Sequence, residues 1–399
     1  MRRCQVLRWL LVLGALHAMV ACAGFFAPYD PVQQDRERPY LPPMKLHVVD
    51  VRGHLHFRPF FYAARLREGS FDQFDEDTGR IFSLRFLVTG ARYRLLGFLP
   101  CRVHLFGTEG VRLLLLGSDG FGRDQLSRIL YGGQVSLLSG LLGAGFTLFM
   151  GAIIGAVAGF YGGWRDVLLM RLAELFLALP WLYLLFALRA FLPLALSPLK
   201  AFLLVIVVLA MVGWARPARL VRGVVLSARE RDFVRAARGF GASNGYLLRR
   251  HIMPETSSVL LTQAAILIPQ FVLAEMTLSF LGLGIPEPAP SWGNLLASLQ
   301  QYSVLVSYWW MYLPAVAIVP FFVGYQGFAN ALKSSPLPPH SKIIGAVMSS
   351  PIGFREFSED DYRKFIRTLS DEELIRRGIG SVSCAAMSLH RHPARSINS

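Results

Sequence analysis

Charge is scarce in this sequence: Asp, Glu, Lys and Arg make up 17% of its 399 residues, while 53% are hydrophobic. That balance excludes a disordered chain, which needs low hydrophobicity and high net charge to stay unfolded. Acidic residues are the scarcer sign, 26 against 41 Lys and Arg, for a formal net charge of +15. A soluble nucleic-acid binder would carry such a surplus on an ordinary apolar content, not at a mean hydropathy of +0.43. Cysteine is nearly absent, with Cys4, Cys22, Cys101 and Cys384 scattered and no CxxC pair, so neither a disulfide framework nor a zinc site is expected. Also missing are G-x-x-x-x-G-K followed by Ser or Thr and HExxH, and G-x-S-x-G occurs at Gly241–Gly245 only within an Arg-rich helical connection, not at a strand-to-helix turn, so no nucleotide cradle, metalloprotease helix or hydrolase elbow is visible. The chain is expected to perform no covalent chemistry and to hold no metal or cofactor.

What remains is an integral membrane protein, in which excess Arg and Lys commonly marks cytoplasmic loops. A hydrocarbon core about 30 Å thick needs roughly 20 apolar residues as helix. Six runs qualify, at 9–28, 135–160, 167–192, 198–215, 258–281 and 304–331, the third and fourth interrupted by Pro180 and Pro193. Arg2, Arg3 and Arg8 precede the first run, and nine arginines lie within 216–250 against Glu230 and Asp232, so both segments belong in the cytoplasm. Six crossings that start inside place 29–134, 193–197 and 282–303 outside, and return the C-terminus to the inside. A cleaved secretory signal is the competing reading of the first run, since Met19–Cys22 faintly resembles a lipoprotein box, but the apolar residues continue past it to Pro28.

The long hydrophilic segment 29–112 alternates Val-, Leu-, Phe- and Tyr-rich stretches (45–51, 80–88, 93–99 and 111–116) with Gly, Pro and Asp, which reads as a small β-rich external insert. Asp72, Asp75, Glu76, Asp77 and Gly79 within it invite a calcium-loop reading, but the spacing lacks the closing glycine and glutamate, so a solvated turn is expected. After Ala331 a Ser- and Pro-rich linker leads to two short helices over 358–377, with capping patterns at Ser358 and Ser370, and to a disordered end.

The candidates for an intramembrane relay are Glu174 in the third run and Glu275 in the fifth, with His17 in the first; both glutamates lie near enough to a membrane face to reach an interface or a partner subunit. In the second run Gly151, Gly155 and Gly159 form a doubled GxxxG stripe, suited to close helix packing or to lining a translocation path. The Arg-rich connection reads Glu230-Arg231-Asp232-Phe233-Val234-Arg235-Ala236-Ala237-Arg238-Gly239-Phe240-Gly241-Ala242-Ser243 and closes on Met253-Pro254. This predicts a helix, a glycine turn and a second helix stopped before proline, a compact knob rather than a solvated basic loop.

That stretch resembles the EAA loop of ATP-binding-cassette (ABC) importer permeases, and its surroundings resemble the dipeptide and oligopeptide permease family. Ala236, Ala237, Gly241 and Pro254 fall on the signature positions, Arg235 stands where the loop's glutamate is expected, and Gly239, Ala242 and Ser243 complete the turn. Further matches are Ala27–Pro31, Leu116–Asp124, Tyr161–Trp164, Leu278–Gly284 and Ser291–Gly293. The resemblance implies an all-α polytopic membrane protein with six transmembrane helices, a cytoplasmic EAA-type coupling loop and a small β-rich external insert. Its parts would be the first helix (1–28), the insert (29–112), the permease core (113–331) and a cytoplasmic tail (332–399). The same resemblance implies a bacterial inner-membrane location with both termini cytoplasmic, a homologous second permease, two cytoplasmic ABC ATPases, an external solute-binding protein, a peptide-like substrate and surrounding lipid, with no nucleic acid. A secondary transporter or channel working without ATPases is the rival; it would need broken-helix repeats or paired intramembrane charges, and neither is evident.

Overall fold

The computed structural model describes residues 2–67, 69–70, 73–95, 97–191 and 196–334, so the expectations for the tail beyond Ser334 lie outside the described residues. Helix α1 (Arg2–Ala21) breaks at Cys22, and a short α2 (Ala23–Phe26) follows. It stops because Ala27 is extended (φ −81°, ψ 121°) ahead of Pro28, whose ring disfavours a helical predecessor.

Strands β1 (His47–Val49), β2 (Leu55–Leu66) and β3 (Phe74–Ser83) form an antiparallel sheet in that order, and β4 (Arg85–Leu95) pairs with β5 (Leu99–Gly107) in a separate two-stranded sheet. Phe61, Leu84, Phe106 and Leu113 close a small core where the two sheets approach. The strand limits differ from expectation. β2 was not anticipated, the 80–88 stretch straddles the β3–β4 boundary at Leu84, the 93–99 stretch takes in the end of β4 and the first residue of β5, and 111–116 is no strand. Nor do Asp75, Glu76 and Asp77 form a solvated turn: they pair with Arg65, Ala64 and Ala63 in the β2–β3 ladder, and Arg67 clamps Asp75 at 2.6 and 2.8 Å. Among the described residues no group of three His, Cys, Asp or Glu is placed to hold a metal ion, and Cys22 and Cys101 are free thiols.

The helical body is built on α3 (Gln125–Tyr161), 37 residues long and capped by Asp124, whose carboxylate accepts from the Ser127 amide at 2.8 Å. The next apolar run is not one helix: α4 (Gly163–Ala178) and α5 (Trp181–Ala190) are separated at Leu179, held extended (φ −86°, ψ 139°) by Pro180. At 16 and 10 residues they measure roughly 24 and 15 Å, too short to cross a bilayer singly. α6 (Pro198–Gly213) meets α7 (Ala215–Arg229) at a 49° bend. After α8 (Asp232–Gly239), a short α9 (Asn244–Tyr246), a π-helical segment (Leu247–Ile252) and α10 (Met253–Phe280) run on as one helix of 37 residues. The second knob helix therefore does not stop before Pro254, as the sequence suggested. The widened turn re-pairs the backbone, with the Met253 amide donating to Leu248, so proline's missing N–H leaves no gap. α11 (Trp292–Ala297), α12 (Tyr302–Ser307) and α13 (Leu313–Ser334) complete the described chain. Among the described residues three helices are long and apolar enough to cross a membrane, Gln125–Tyr161, Asn244–Phe280 and Trp309–Lys333, or four if the bent α6–α7 pair counts as one; α1 carries a shorter apolar stretch.

A central core of Leu13, Val205, Leu209, Leu267, Phe271 and Phe328 joins α1, α6, α10 and α13. Trp292, 1% exposed, wedges between α3 and α10, its indole donating to Ile129 O at 2.9 Å and its amide to Ser136 Oγ at 3.1 Å. The glycine stripe lies against α7. A Cβ at Gly151 would meet Pro217 Cβ at 2.7 Å, one at Gly155 would meet the Ala218 carbonyl and, at 2.9 Å, Val221 Cβ, and one at Gly159 would meet Arg222 O at 2.9 Å. Gly155→Leu should therefore lower stability by about 1–3 kcal/mol through overpacking. Gly145→Leu, on the open face of the same helix, should be tolerated. Thermal unfolding of the two detergent-purified variants checks the contrast; equal losses would show that α3 and α7 separate easily.

Candidate functional site

The knob begins at α8, whose end is closed by hydrogen bonds that explain the small residues. The Gly241 amide donates to Arg238 O and the Ala242 amide to Ala237 O, at 3.0 and 3.1 Å, while Gly241 takes φ +84°. This is the reciprocal pattern of a Schellman cap, in which the left-handed position favours glycine and the flanking apolar pair, here Ala237 and Ala242, packs together. Ser243 then caps the following helix, its hydroxyl accepting from the Tyr246 amide at 3.3 Å. Arg235, Ala236, Gly239, Gly241, Ser243 and Pro254 are exposed and Ala237 and Ala242 half-buried, so the residues chosen from sequence share one surface element. At Gly239 a Cβ would meet open space, and nothing in the structure explains the glycine there.

The opposite side of the knob is a packed base. Val234, Leu247 and Ile252 are buried with Ala156 and Phe160 of α3 and Val221, Val225 and Ala228 of α7. Ion pairs fix its position: Arg231 with Glu255 at 2.8 Å, Arg235 with Glu230 at 2.7 Å, and Arg222 with Asp166 at 2.5 and 2.7 Å. The Arg235 guanidinium, with Arg229 beside it, holds the Glu230 carboxyl below the usual carboxylate range. Sequence reasoning missed the crest. Phe240 is 93% exposed between two turn residues, flanked by exposed Phe233 and Tyr246, and an aromatic in a Gly-Phe-Gly turn was the available signal. Beside it Gly245, Tyr246, Arg249 and Arg250 line a basic hollow of about 540 Å³.

A second cluster stands at the opposite end of α10, beyond Phe280. Asp119 turns back to accept from the Phe121 and Arg123 amides at 2.9 and 3.0 Å and pairs with Arg123 Nε at 2.7 Å. Glu287 bridges Arg123 and Arg128 at 2.7 and 2.9 Å, and Arg128, almost wholly buried, also lies 3.3 Å from Asp119. The four line a cavity of about 580 Å³ with Tyr40, Ser279 and Asn294. Nearby, burial pushes the Asp124 carboxyl up to about 6. The Leu116–Asp124 match pointed here, but Glu287 carries no local signal.

The relay candidates are held apart. Glu174 is exposed and paired with Arg171 at 2.9 Å; His17 contacts Leu13 O at 2.8 Å and the Tyr325 hydroxyl at 3.0 Å. Glu275 was expected to reach an interface or a partner; instead it is fully buried, accepting from Ser279 Oγ at 2.6 Å, because its face of α10 turns toward α3 and α11.

Residues 151–336 match the family of binding-protein-dependent transport system inner membrane components. A protein named as a peptide permease in Brucella ovis is 37% identical over 220 residues, 55% of this chain and 71% of that protein. A peptide transport system permease protein of Brucella abortus is 42% identical over 231 residues, 58% of this chain and 75% of that protein. The dipeptide transport system permease protein of Bacillus subtilis is 36% identical over 214 residues, 53% and 63% respectively. The chain therefore belongs to the family of binding-protein-dependent inner-membrane permeases. Among solved structures, an amino acid ABC transporter with histidines aligns at 19% identity and TM-score 0.37, covering 51% of this chain and 91% of that one. The MetNI methionine ABC transporter aligns at 17% and 0.37, covering 51% and 95%.

The cluster at the far end of α10 predicts a graded loss of stability. Asp119→Ala removes one of the two carboxylates that serve two buried guanidiniums, leaving them Glu287, and unpairs two turn amides; it should cost about 3 kcal/mol, whereas Glu287→Ala, which removes a side chain that is 45% exposed, should cost clearly less. Paired thermal unfolding of the two variants tests the order, and the reverse order would place the anchor on Glu287.

Proposed function

We propose that the chain is a transmembrane permease subunit of an ATP-driven ABC importer for peptides, and that segment 216–254 couples ATPase closure to alternating access. The carrying observation is the knob: a Schellman-closed turn with an exposed aromatic crest, whose base is packed into the ends of α3 and α7 and whose second helix continues unbroken as α10. The peptide relatives support the cargo class. In this reading Arg235, Ala236, Ala237, Gly239, Gly241, Ala242, Ser243 and Pro254 form the docking element, two cytoplasmic ATPases receive it in each complex with a homologous second permease, and an external solute-binding protein delivers substrate. Gly151, Gly155 and Gly159 serve helix packing. The chain performs no enzymatic step of its own.

Six crossings complete the topology when α1, the broken α4–α5 pair and α6 are counted with α3, α10 and α13. The chain lies in the bacterial inner membrane with both termini cytoplasmic. Helix 1–28 precedes an external insert (29–112), the permease core (113–331) and a cytoplasmic tail (332–399). An impermeant thiol reagent added to cells should label a cysteine placed at Gln73 but not one at Ser243. Labelling of Ser243 alone would invert the topology.

Gly241→Phe tests the coupling role. The left-handed backbone costs a residue bearing a Cβ about 1–2 kcal/mol, and the added ring enlarges a surface meant to enter a groove. The expected outcome is normal membrane insertion, a complex depleted of ATPases by at least about tenfold in affinity, and lost import. Normal import with ATPases bound would remove the knob as the docking element.

A further inference from the structure

Residues 78–108 contain Arg80, Arg85, Arg92, Arg94 and Arg102 and no Asp or Glu. The stretch folds into the β4–β5 hairpin, which has no third strand among the described elements. A lone two-stranded hairpin is marginal in water and needs a surface to lie on. One end of this hairpin has such a surface in the protein, where Phe106 joins the insert core. The tip does not: Phe98 is 70% and Leu99 46% exposed, and among the described residues no carboxylate pairs with exposed Arg92, Arg94 or Arg102.

The direction of the tip is fixed by two contacts with the end of the first helix. His104 Nδ1 meets Ala27 O at 2.7 Å. Closer to the tip, the Tyr93 ring lies so near Gly24 that a Cβ there would stand 2.6 Å from its Cγ. Going from His104 toward the turn therefore means going from Ala27 back to Gly24, toward the apolar stretch of α1. Ala23 and Ala27 in turn pack on Leu130, where the apolar part of α3 begins. The hairpin thus runs back along α2 toward α1, with Leu95, Phe98 and Leu99 near its end and three guanidiniums that have no carboxylate partner among the described residues.

The geometry points to the β4–β5 tip as a membrane-interface anchor, its apolar residues entering the acyl boundary and Arg92, Arg94 and Arg102 binding the phosphates of anionic phospholipid headgroups around the first helix. Guanidiniums suit this role because they bind phosphate oxygens through two parallel N–H groups. Basic residues flanking an apolar segment are the ordinary composition of an interfacial element, and attraction to anionic lipid adds to the apolar burial. The side chains pair with lipid rather than with protein, so the insert is tethered at both ends of the hairpin.

The test uses the full chain with its four cysteines replaced by serine, a nitroxide on Phe98→Cys, and reconstitution into bilayer nanodiscs with and without phosphatidylglycerol. Power-saturation measurements should find position 98 several-fold less accessible to an aqueous nickel chelate than a nitroxide on Phe57→Cys in β2, and more accessible to oxygen. Protection should deepen with phosphatidylglycerol, and the Arg92→Gln, Arg94→Gln, Arg102→Gln variant should lose that increment. Leu99→Cys provides a second reporter where the first perturbs the turn. Nickel access at both tip positions equal to that at 57 would overturn the anchor. So would protection that arises only when a second permease or a solute-binding protein is added, since the tip would then be a protein-docking site.

Discussion

The close approach of α3 and α7 is the constraint on which the knob end of this permease depends. Three glycines one turn apart remove every side chain from one face of α3, and the α7 backbone occupies the space. In a bilayer, where apolar side chains gain nothing by leaving lipid for protein, such backbone proximity and its dispersion contacts hold helices together. The arrangement has a downstream effect. Because α7 is fixed to α3, Val221 and Val225 stand beside Ala156 and Phe160, and the four form the socket for Val234, Leu247 and Ile252. The knob is therefore seated on two helices already locked to each other.

The far end is organised by charge instead of by small residues. Asp119, Arg123, Arg128 and Glu287 tie the start of α3 to the segment after α10 through a neutral quartet. Buried ion pairs of this kind add little net stability over apolar packing but penalise any arrangement that separates them. The two ends of the protein thus use different physics: contact area set by glycine on one side, and electrostatic pairing with strict geometry on the other.

Much of the helical body was legible because its signals are local. The apolar runs located α3, α10 and α13, and the Arg-rich segment with Gly241 located the knob turn. What failed was continuity. Pro180 breaks one run into two short helices, while Pro254 does not break another, and the difference lies in the backbone around each: Leu179 is extended, whereas a π turn ahead of Pro254 supplies the compensating bonds. Periodicity cannot distinguish these cases. Strand limits were displaced because β2 begins in a polar, His-rich stretch, and Asp75–Asp77 read as turn residues although Arg67 clamps Asp75 and the chain beside it pairs in the ladder. Glu287 was invisible, since its partners lie about 160 residues away and only the fold brings them together.

The uninterrupted run from Asn244 to Phe280 has mechanical meaning. A helix of 37 residues is about 55 Å long, and a rod of that length pivoting by about 5° at its knob end displaces the other end by about 5 Å. That is comparable to one helical turn, the size of step by which packed elements exchange one set of contacts for another. The tip of this rod leads directly into the segment that holds Glu287 against two arginines. A small rotation at the knob end would thus reach the far end as a displacement large enough to part an ion-pair quartet, so the gain between the two ends of the rod is set by lever length.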